Sequence, residues 1–290
     1  MEYRLIKQLV KEERLRKSFS DLAARIFGLS FEDWYARGYW SKKYIPYAIV
    51  EGERVVANAS VNVMDFIWQG TDRKYIQIGT VMTDPACRGR GLARRLIEEI
   101  LSDWRKQADA VYLFANSSVL DFYPRFGFER ATEYQYSLPA VAPRPGDFRR
   151  LDMEQPGDRA LLRRCYEASN PFSRLSVKNN YGLLMFYCSG FMKDCVYYSE
   201  KRGAAVVAEQ QGDALRCLDV FGGAGAALPD ILNELAGEKT RRIVLGFSPQ
   251  ETEGCACEGI GNEEDTLFLY GQKENLFREN RLMFPLLSHA

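Results

Sequence analysis

Residues 83–93, TDPACRGRGLA, set Arg88-Gly89-Arg90-Gly91 between an apolar run ending at Val81 and a segment of helical periodicity. Three kinds of chemistry use such a stretch: a surface turn, a nucleic-acid contact, or a seat for a phosphorylated cofactor. Asp84-Pro85 ends the preceding strand, and Asp84 reads as its turn residue. Glycines let backbone N–H groups converge on one small anion. A helix starting near Gly91 adds unpaired N–H groups and the positive end of its dipole. With Arg88 and Arg90 supplying charge, the components together favour an anion with several oxygens, such as a pyrophosphate. The stretch is not a Walker loop, since no Gly-Lys-Ser/Thr follows, and its Arg-x-x-Gly-x-Ala spacing is not the dinucleotide fingerprint.

The elements around the stretch must position it. Upstream, YRLIKQL reads as a strand, Glu12 to Phe27 as a helix, and SFEDWYARGYW as a second helix with Ser30 as cap and Glu32 in its first turn. A hairpin turning at Glu51-Gly52-Glu53-Arg54 and a strand, YIQIGTVMT, follow. Downstream, LARRLIEEILSDW places Leu92, Leu96, Ile100 and Trp104 on one stripe, with Ala93, Ile97 and Leu101 beside it. Arg94 and Arg95 face outward, with Glu98 and Glu99 as (i, i+4) partners. A strand AVYLFAN, a short helix near VLDFYPRF and a strand YQYSL close the half. The fold class is α+β, a mixed and mostly antiparallel sheet with flanking helices.

The chain has 290 residues, 46% apolar and 27% charged, with Lys+Arg and Asp+Glu both at 39. That balance argues against nucleic acid or an anionic membrane as partner. The charged N-terminus lacks the apolar core of a signal peptide, and YGLLMFYCSGFM is too short to span a bilayer, so a cytoplasmic location is expected. Seven scattered cysteines read as reduced thiols. Cys255 and Cys257 have no second pair at zinc-ribbon spacing, so no metal is expected, and the single histidine, His289, excludes mid-chain Ser-His-Asp or Cys-His catalysis.

The seam LPAVAPRPGDF, residues 138–148, divides the chain into 1–138, a linker at 139–147, and 148–290. The second half repeats the order of elements: FRRLDM, a helix PGDRALLRRCYEAS, NYGLLMFYCSGF as second helix, and a hairpin turning at Lys201-Arg202-Gly203. ALRCLDVF, LPDILNELAG, RRIVLGF and TLFLYGQ complete it.

On Arg88, Gly91 and Ala93, preceded by Val81, Thr83 and Pro85, the first half resembles the GNAT superfamily of N-acetyltransferases. NSSVLDFYPRFGF resembles that family's second signature, with Asn116, Phe122-Tyr123 and Gly127-Phe128. The resemblance implies two GNAT-like domains in tandem, an N-terminal one binding acetyl-CoA and a degenerate second one. It implies that the amides of Arg88, Gly89, Arg90, Gly91, Leu92 and Ala93 hold the pyrophosphate, with Asn116 also at the cofactor. Backbone groups of Val81 and Thr83 would pair with the pantetheine arm, and Tyr123 would protonate the departing thiolate. A phenol titrates near pH ~10 and is protonated at neutral pH, so it can donate.

The base is not legible. Asp65 is the candidate, on a strand that, like that of Gln77, could face the cleft. His289 is expected to fray with the chain end. VFGGAGAALPD in the second half keeps glycines but has no Arg or Gln ahead of them, so a second cofactor site is not expected. The aromatics Trp34, Tyr35, Tyr39, Trp40, Tyr44, Tyr47 and Trp68 either stack the acceptor or pack the core, and packing is the commoner use. The resulting expectation is transfer of acetyl to a small-molecule or peptide amine. The alternative is a non-catalytic acyl-CoA sensor or regulatory protein, and a homo-oligomer stays open.

Overall fold

The structure, a computed structural model, describes residues 2–7, 9–141, 144, 146–261, 263–270 and 275–290. Ala142, Pro143 and Pro145 of the seam, and Gly271 and Gln272 of the last expected strand, lie outside the described residues.

The chain runs β1 (Tyr3–Lys7), α1 (Glu13–Phe27), α2 (Glu32–Ala36), β2 (Tyr44–Glu51), β3 (Arg54–Trp68), β4 (Thr71–Thr83), α3 (Leu92–Trp104), β5 (Ala110–Ala115), β6 (Phe128–Arg130) and β7 (Tyr134–Pro139). Beyond the seam come β8 (Arg149–Arg150), α4 (Pro156–Glu167), β9 (Leu175–Lys178), α5 (Tyr181–Phe186), β10 (Val196–Ser199), β11 (Ala204–Gln211) and β12 (Ala214–Gly222). The chain then continues through α6 (Leu228–Leu235), β13 (Arg242–Leu245), β14 (Ala256–Gly259), β15 (Thr266–Tyr270) and α7 (Leu276–Glu279). Apolar spacing explains the longer helices. α1 buries Leu15, Phe19, Leu22 and Ala23 and stops at Gly28, whose left-handed backbone (φ 68°) lets its N–H reach Ala24 O. α3 buries Leu92, Leu96, Ile97, Ile100 and Leu101 against the sheet. Burying each of these leucines and isoleucines stabilises the fold by roughly 1.5–3 kcal/mol. α2 starts one residue later than expected: Phe31, not Ser30, is the cap residue and offers no side-chain bond. Glu32 instead accepts from Ser20 Oγ at 2.9 Å.

Both expected hairpins are present, Glu51 pairing with Arg54 and Ser199 with Ala204. The sheets, however, do not follow the two halves of the sequence. The first is eight-stranded, ordered β1-β2-β3-β4-β5-β15-β6 with β9 added on β3; the second is seven-stranded, ordered β14-β7-β13-β12-β11-β10-β8. β7, expected to close the first sheet, therefore belongs to the second, and β15, expected in the second, lies between β5 and β6 in the first. The physical reason is edge coverage: an apolar strand such as TLFLY is buried only where both its edges and faces are occupied. β15 meets that condition between Ala110–Ala115 and Phe128–Arg130, with Leu267, Phe268 and Leu269 buried. Residues 282–290 then thread back between the sheets, with Phe284 stacked on Tyr112 at 4.0 Å between ring centres.

Candidate active site

The parallel ladder of β4 and β5 runs from Tyr75↔Ala110 to Ile78↔Leu113 and stops there. Beyond it the strands part, because β4 carries an irregularity opposite Asn58–Ser60, where Thr80 takes φ 49°. A bulge of this kind re-aims the strand and leaves backbone groups unpaired on one edge. Side chains hold it: Asn58 Nδ2 donates to Thr80 O at 3.0 Å, and Tyr44 Oη lies 2.9 Å from Thr80 Oγ1. The opening forms a cleft of about 1120 Å³, lined along β4 by residues 77–83.

The loop from 84 to 91 closes one end of the cleft. Asp84 is structural, as its place before Pro85 suggested: its Oδ1 accepts from Ala86 N at 3.0 Å, and Arg25 approaches Oδ2 at 3.2 Å. The Ala86 amide first, and Arg25 and Arg54 after it, hold this carboxyl below the usual carboxylate range. Gly89 and Gly91 have φ of 74° and 73°, and a Cβ on either would meet nothing within 4 Å. Here glycine serves conformation and leaves room on the outside. Gly91 is the cap residue of α3 without a side-chain cap bond, so the first N–H groups of the helix stay open to an anion.

The arginines divide differently from the expectation. Arg90 turns back, donating to Tyr3 Oη at 2.6 Å and to Ala86 O at 3.1 Å, and so braces the loop on β1. Arg88 is exposed at the cleft, and Arg94, expected to be solvated, lines it too. Arg95 approaches Tyr3 O at 3.5 Å, while Glu99 pairs with Lys7 at 2.9 Å rather than with Arg95.

All nine residues expected at the cofactor, Val81, Thr83, Arg88 to Ala93 and Asn116, line this one cleft. Asn116 also has a local use, its Oδ1 accepting from Ser118 N at 3.1 Å. Tyr123 lines the cleft from a short 3₁₀ turn, Tyr123–Phe126, packed beside Phe122 (5.2 Å), Phe128 and Phe268. Burial pushes its phenol up to about 12, so the hydroxyl keeps its proton across the physiological range. Asp65 is elsewhere: it lies 2.7 Å from Lys43 Nζ, on the stretch of β3 that pairs with β9. None of the seven singled-out aromatics lines the cleft; Trp34, Trp40 and Tyr44 pack with Phe19 and Phe31 behind it.

Residues 286–290 add groups that little in the sequence signals. His289 does not fray. Its imidazole stacks on Phe114 with ring centres 3.9 Å apart, its Nδ1 is 3.6 Å from Asp265 Oδ2, and Tyr187 Oη donates to its carbonyl at 2.5 Å. With its amide oriented to satisfy both neighbours, Gln77 donates to Ser288 O at 2.9 Å and accepts from Ala290 N at 3.0 Å. A Cβ on Gly79 would overlap the main-chain oxygen of Ala290, so glycine there lets the tail lie on β4. Nearby, buried Glu133 accepts from Phe284 N at 2.7 Å; burial pushes its carboxyl up to about 7, against the opposing effect of His289. The legible signals were a glycine and a glutamine on an apolar strand, and a lone histidine close to aromatic residues.

Splayed parallel strands, an open glycine loop at a helix start and a buried tyrosine thus share one cleft. Residues 10–131 match the sequence model of the GNAT acetyltransferase domain. That segment of the chain is a GNAT-type acetyltransferase domain. No curated protein matches the sequence. Among solved structures, a probable N-acyltransferase from Enterococcus faecalis is similar at 15% identity and TM-score 0.59, over 93% of this chain and 72% of that one. A GCN5-related N-acetyltransferase from Kribbella flavida is similar at 20% identity and TM-score 0.56, over 92% and 71%. Eis1 from Mycobacterium abscessus is similar at 15% identity and TM-score 0.54, over 93% and 72%. These likenesses extend the shared fold across both sheets.

Proposed function

We propose that the chain uses acetyl-CoA to acetylate the primary amine of a small-molecule or peptide acceptor by direct transfer. The observation that carries this reading is the single cleft shared by the open amides of residues 88–93 and the protonated hydroxyl of Tyr123. The loop amides, the start of α3, Arg88 and Arg94 would hold the pyrophosphate. The unpaired edge of Val81–Thr83 would take the pantetheine arm as an added strand. The amine lone pair then attacks the thioester carbonyl, the C–S bond breaks, and the departing thiolate takes the proton of Tyr123. His289, beside Asp265, would take the proton that the acceptor ammonium must lose, a role that Asp65 is too far from the cleft to fill. Most of the rate would come from holding the two reactants in line.

A thiol-release assay tests this. Tyr123→Phe is expected to lower kcat by about 10²–10³-fold, the range typical of a lost general acid, with acetyl-CoA affinity unchanged. A variant as fast as the parent overturns the role of Tyr123. Binding without turnover on any amine favours a sensor.

A further inference from the structure

Resting on the acetyltransferase reading, the bulge of β4 raises the question of what keeps it in shape. Asn58 pairs with Met82 and Ser60 with Gly79, so Ala59 alone faces both Thr80 and Val81. The extra residue of such a bulge takes left-handed backbone most readily when it is glycine. Here it is threonine, at φ 49°. Four non-glycine residues among those described have left-handed backbone, and of these Thr80 alone is β-branched and lies inside a strand. Such a conformation persists only where the surroundings over-determine it.

The surroundings are a ring of buried polar groups. Asn58 Nδ2 donates both its protons, one to Thr80 O at 3.0 Å and one to Ser60 Oγ at 2.9 Å. Ser60 Oγ donates to Tyr44 Oη at 3.0 Å, which leaves the Tyr44 proton for Thr80 Oγ1 at 2.9 Å. Thr80 is therefore gripped by main chain and side chain at once, and glycine in its place would lose the second grip. Tyr44 is itself fixed: its ring lies 5.1 Å from Trp40, edge-on, and 5.6 Å from Phe31, stacked. Burial pushes its phenol up, so the hydroxyl keeps its proton. Asn58, Ser60 and Tyr44 are buried and do not line the cleft, whereas residues 79–83 do. Their effect on a bound ligand must pass through Thr80.

We infer that Asn58 and Tyr44 are positioning residues for the cofactor: they lock Thr80 in left-handed backbone, and the lock aims the edge of Val81–Thr83 at the pantetheine arm. Released, threonine relaxes towards extended backbone, and the edge beyond Ile78↔Leu113 loses its aim. The loop at residues 88–93 does not depend on this lock. Asp84 ties it down separately, through Ala86 N at 3.0 Å, Arg25 at 3.2 Å and Arg54 at 3.6 Å. The lock therefore acts on one end of the cofactor and not on its pyrophosphate.

Calorimetry of the full chain with acetyl-CoA and, separately, with ADP tests this, because ADP carries a pyrophosphate but no pantetheine arm. Tyr44→Phe, which removes one bond to Thr80, is expected to weaken acetyl-CoA binding about fivefold. Asn58→Ala removes both bonds of Nδ2 and is expected to weaken it about tenfold. Both variants are expected to bind ADP within about twofold of the parent. Adding Thr80→Gly to Tyr44→Phe is expected to return acetyl-CoA affinity to within about twofold of the parent, since glycine takes this backbone unaided. Equal losses for both ligands overturn the inference, because the variants would then only loosen the fold. So does a Tyr44→Phe protein that binds acetyl-CoA as the parent does, or a double variant no better than Tyr44→Phe alone. Should Asn58→Ala fail to fold, the Tyr44→Phe pair decides by itself. A parent that binds ADP but not acetyl-CoA overturns the positioning role; one that binds neither overturns the acetyltransferase reading with it.

Discussion

Each sheet contains one parallel strand pair followed by a separation, and the two separations are used in opposite ways. In the first sheet the ladder of β4 and β5 ends at Ile78↔Leu113, and a cleft of about 1120 Å³ opens beyond it. In the second sheet the ladder of β12 and β13 ends at Cys217↔Leu245, and the chain itself fills the gap. Gly246 N donates to Cys217 O at 2.7 Å, and a Cβ on Gly246 would lie 2.7 Å from Leu218 O and 3.0 Å from Leu286 Cδ1. The loops differ likewise. Gly89 and Gly91 face open space, whereas a Cβ on Gly222 would come 2.5 Å from Gly203 O, and one on Gly223 3.0 Å from Ala204 Cβ. The first loop is flanked by Arg88, Arg90 and Arg94; residues 222–227, GGAGAA, bring no charge. The same local topology thus leaves an open loop, the proposed anion seat, where glycine leaves space and a packed joint where glycine removes it.

Substitutions can break that contrast. Gly222→Ala combines a left-handed φ of 75° with an overlap on backbone, and is expected to cost about 4 kcal/mol of unfolding free energy in denaturant titration. Gly89→Ala, at a similar φ in open space, is expected to cost only about 1 kcal/mol; equal losses would dissolve the distinction. In one respect the halves are alike, since each buries a carboxyl that burial pushes up to about 7: Glu133 near the first cleft and Asp219, beside Asn170, in the second sheet. A raised carboxyl pKa means the unfolded chain loses its proton first, so stability falls as pH rises from about 4.5 through about 7. Glu133→Gln is therefore expected to be near neutral at pH ~4 and stabilising by at most about 3 kcal/mol at pH ~8. Thermal unfolding of parent and variant across that range reads the difference, and a constant offset would contradict the burial account.

The loop end of the cleft was legible in the sequence because its parts are contiguous. Asp84-Pro85, the glycines and the stripe from Leu92 lie within a few residues of one another, and each uses only local rules. The part lined by Asp265, His289 and Ala290 was not, because it depends on where distant segments fold. Nothing local to TLFLY says that it pairs with Ala110–Ala115 rather than with its own half, and once it does, His289 is carried to Phe114. For the same reason the sequence pattern puts β7 in the first sheet and Asp65, rather than His289, at the cleft, where the structure has the reverse. The aromatics of residues 34–47 drew attention by number, but regular spacing on buried elements makes core; Phe27 and Phe191, at element ends, are the exposed ones.

One of the two similar loops, and not the other, is the proposed seat of the cofactor. Isothermal calorimetry with acetyl-CoA on the full chain measures it directly. One molecule is expected to bind per chain, with affinity lowered about tenfold by Arg88→Ala and binding abolished by Gly91→Trp. Two molecules per chain, or binding that both variants leave unchanged, would contradict it.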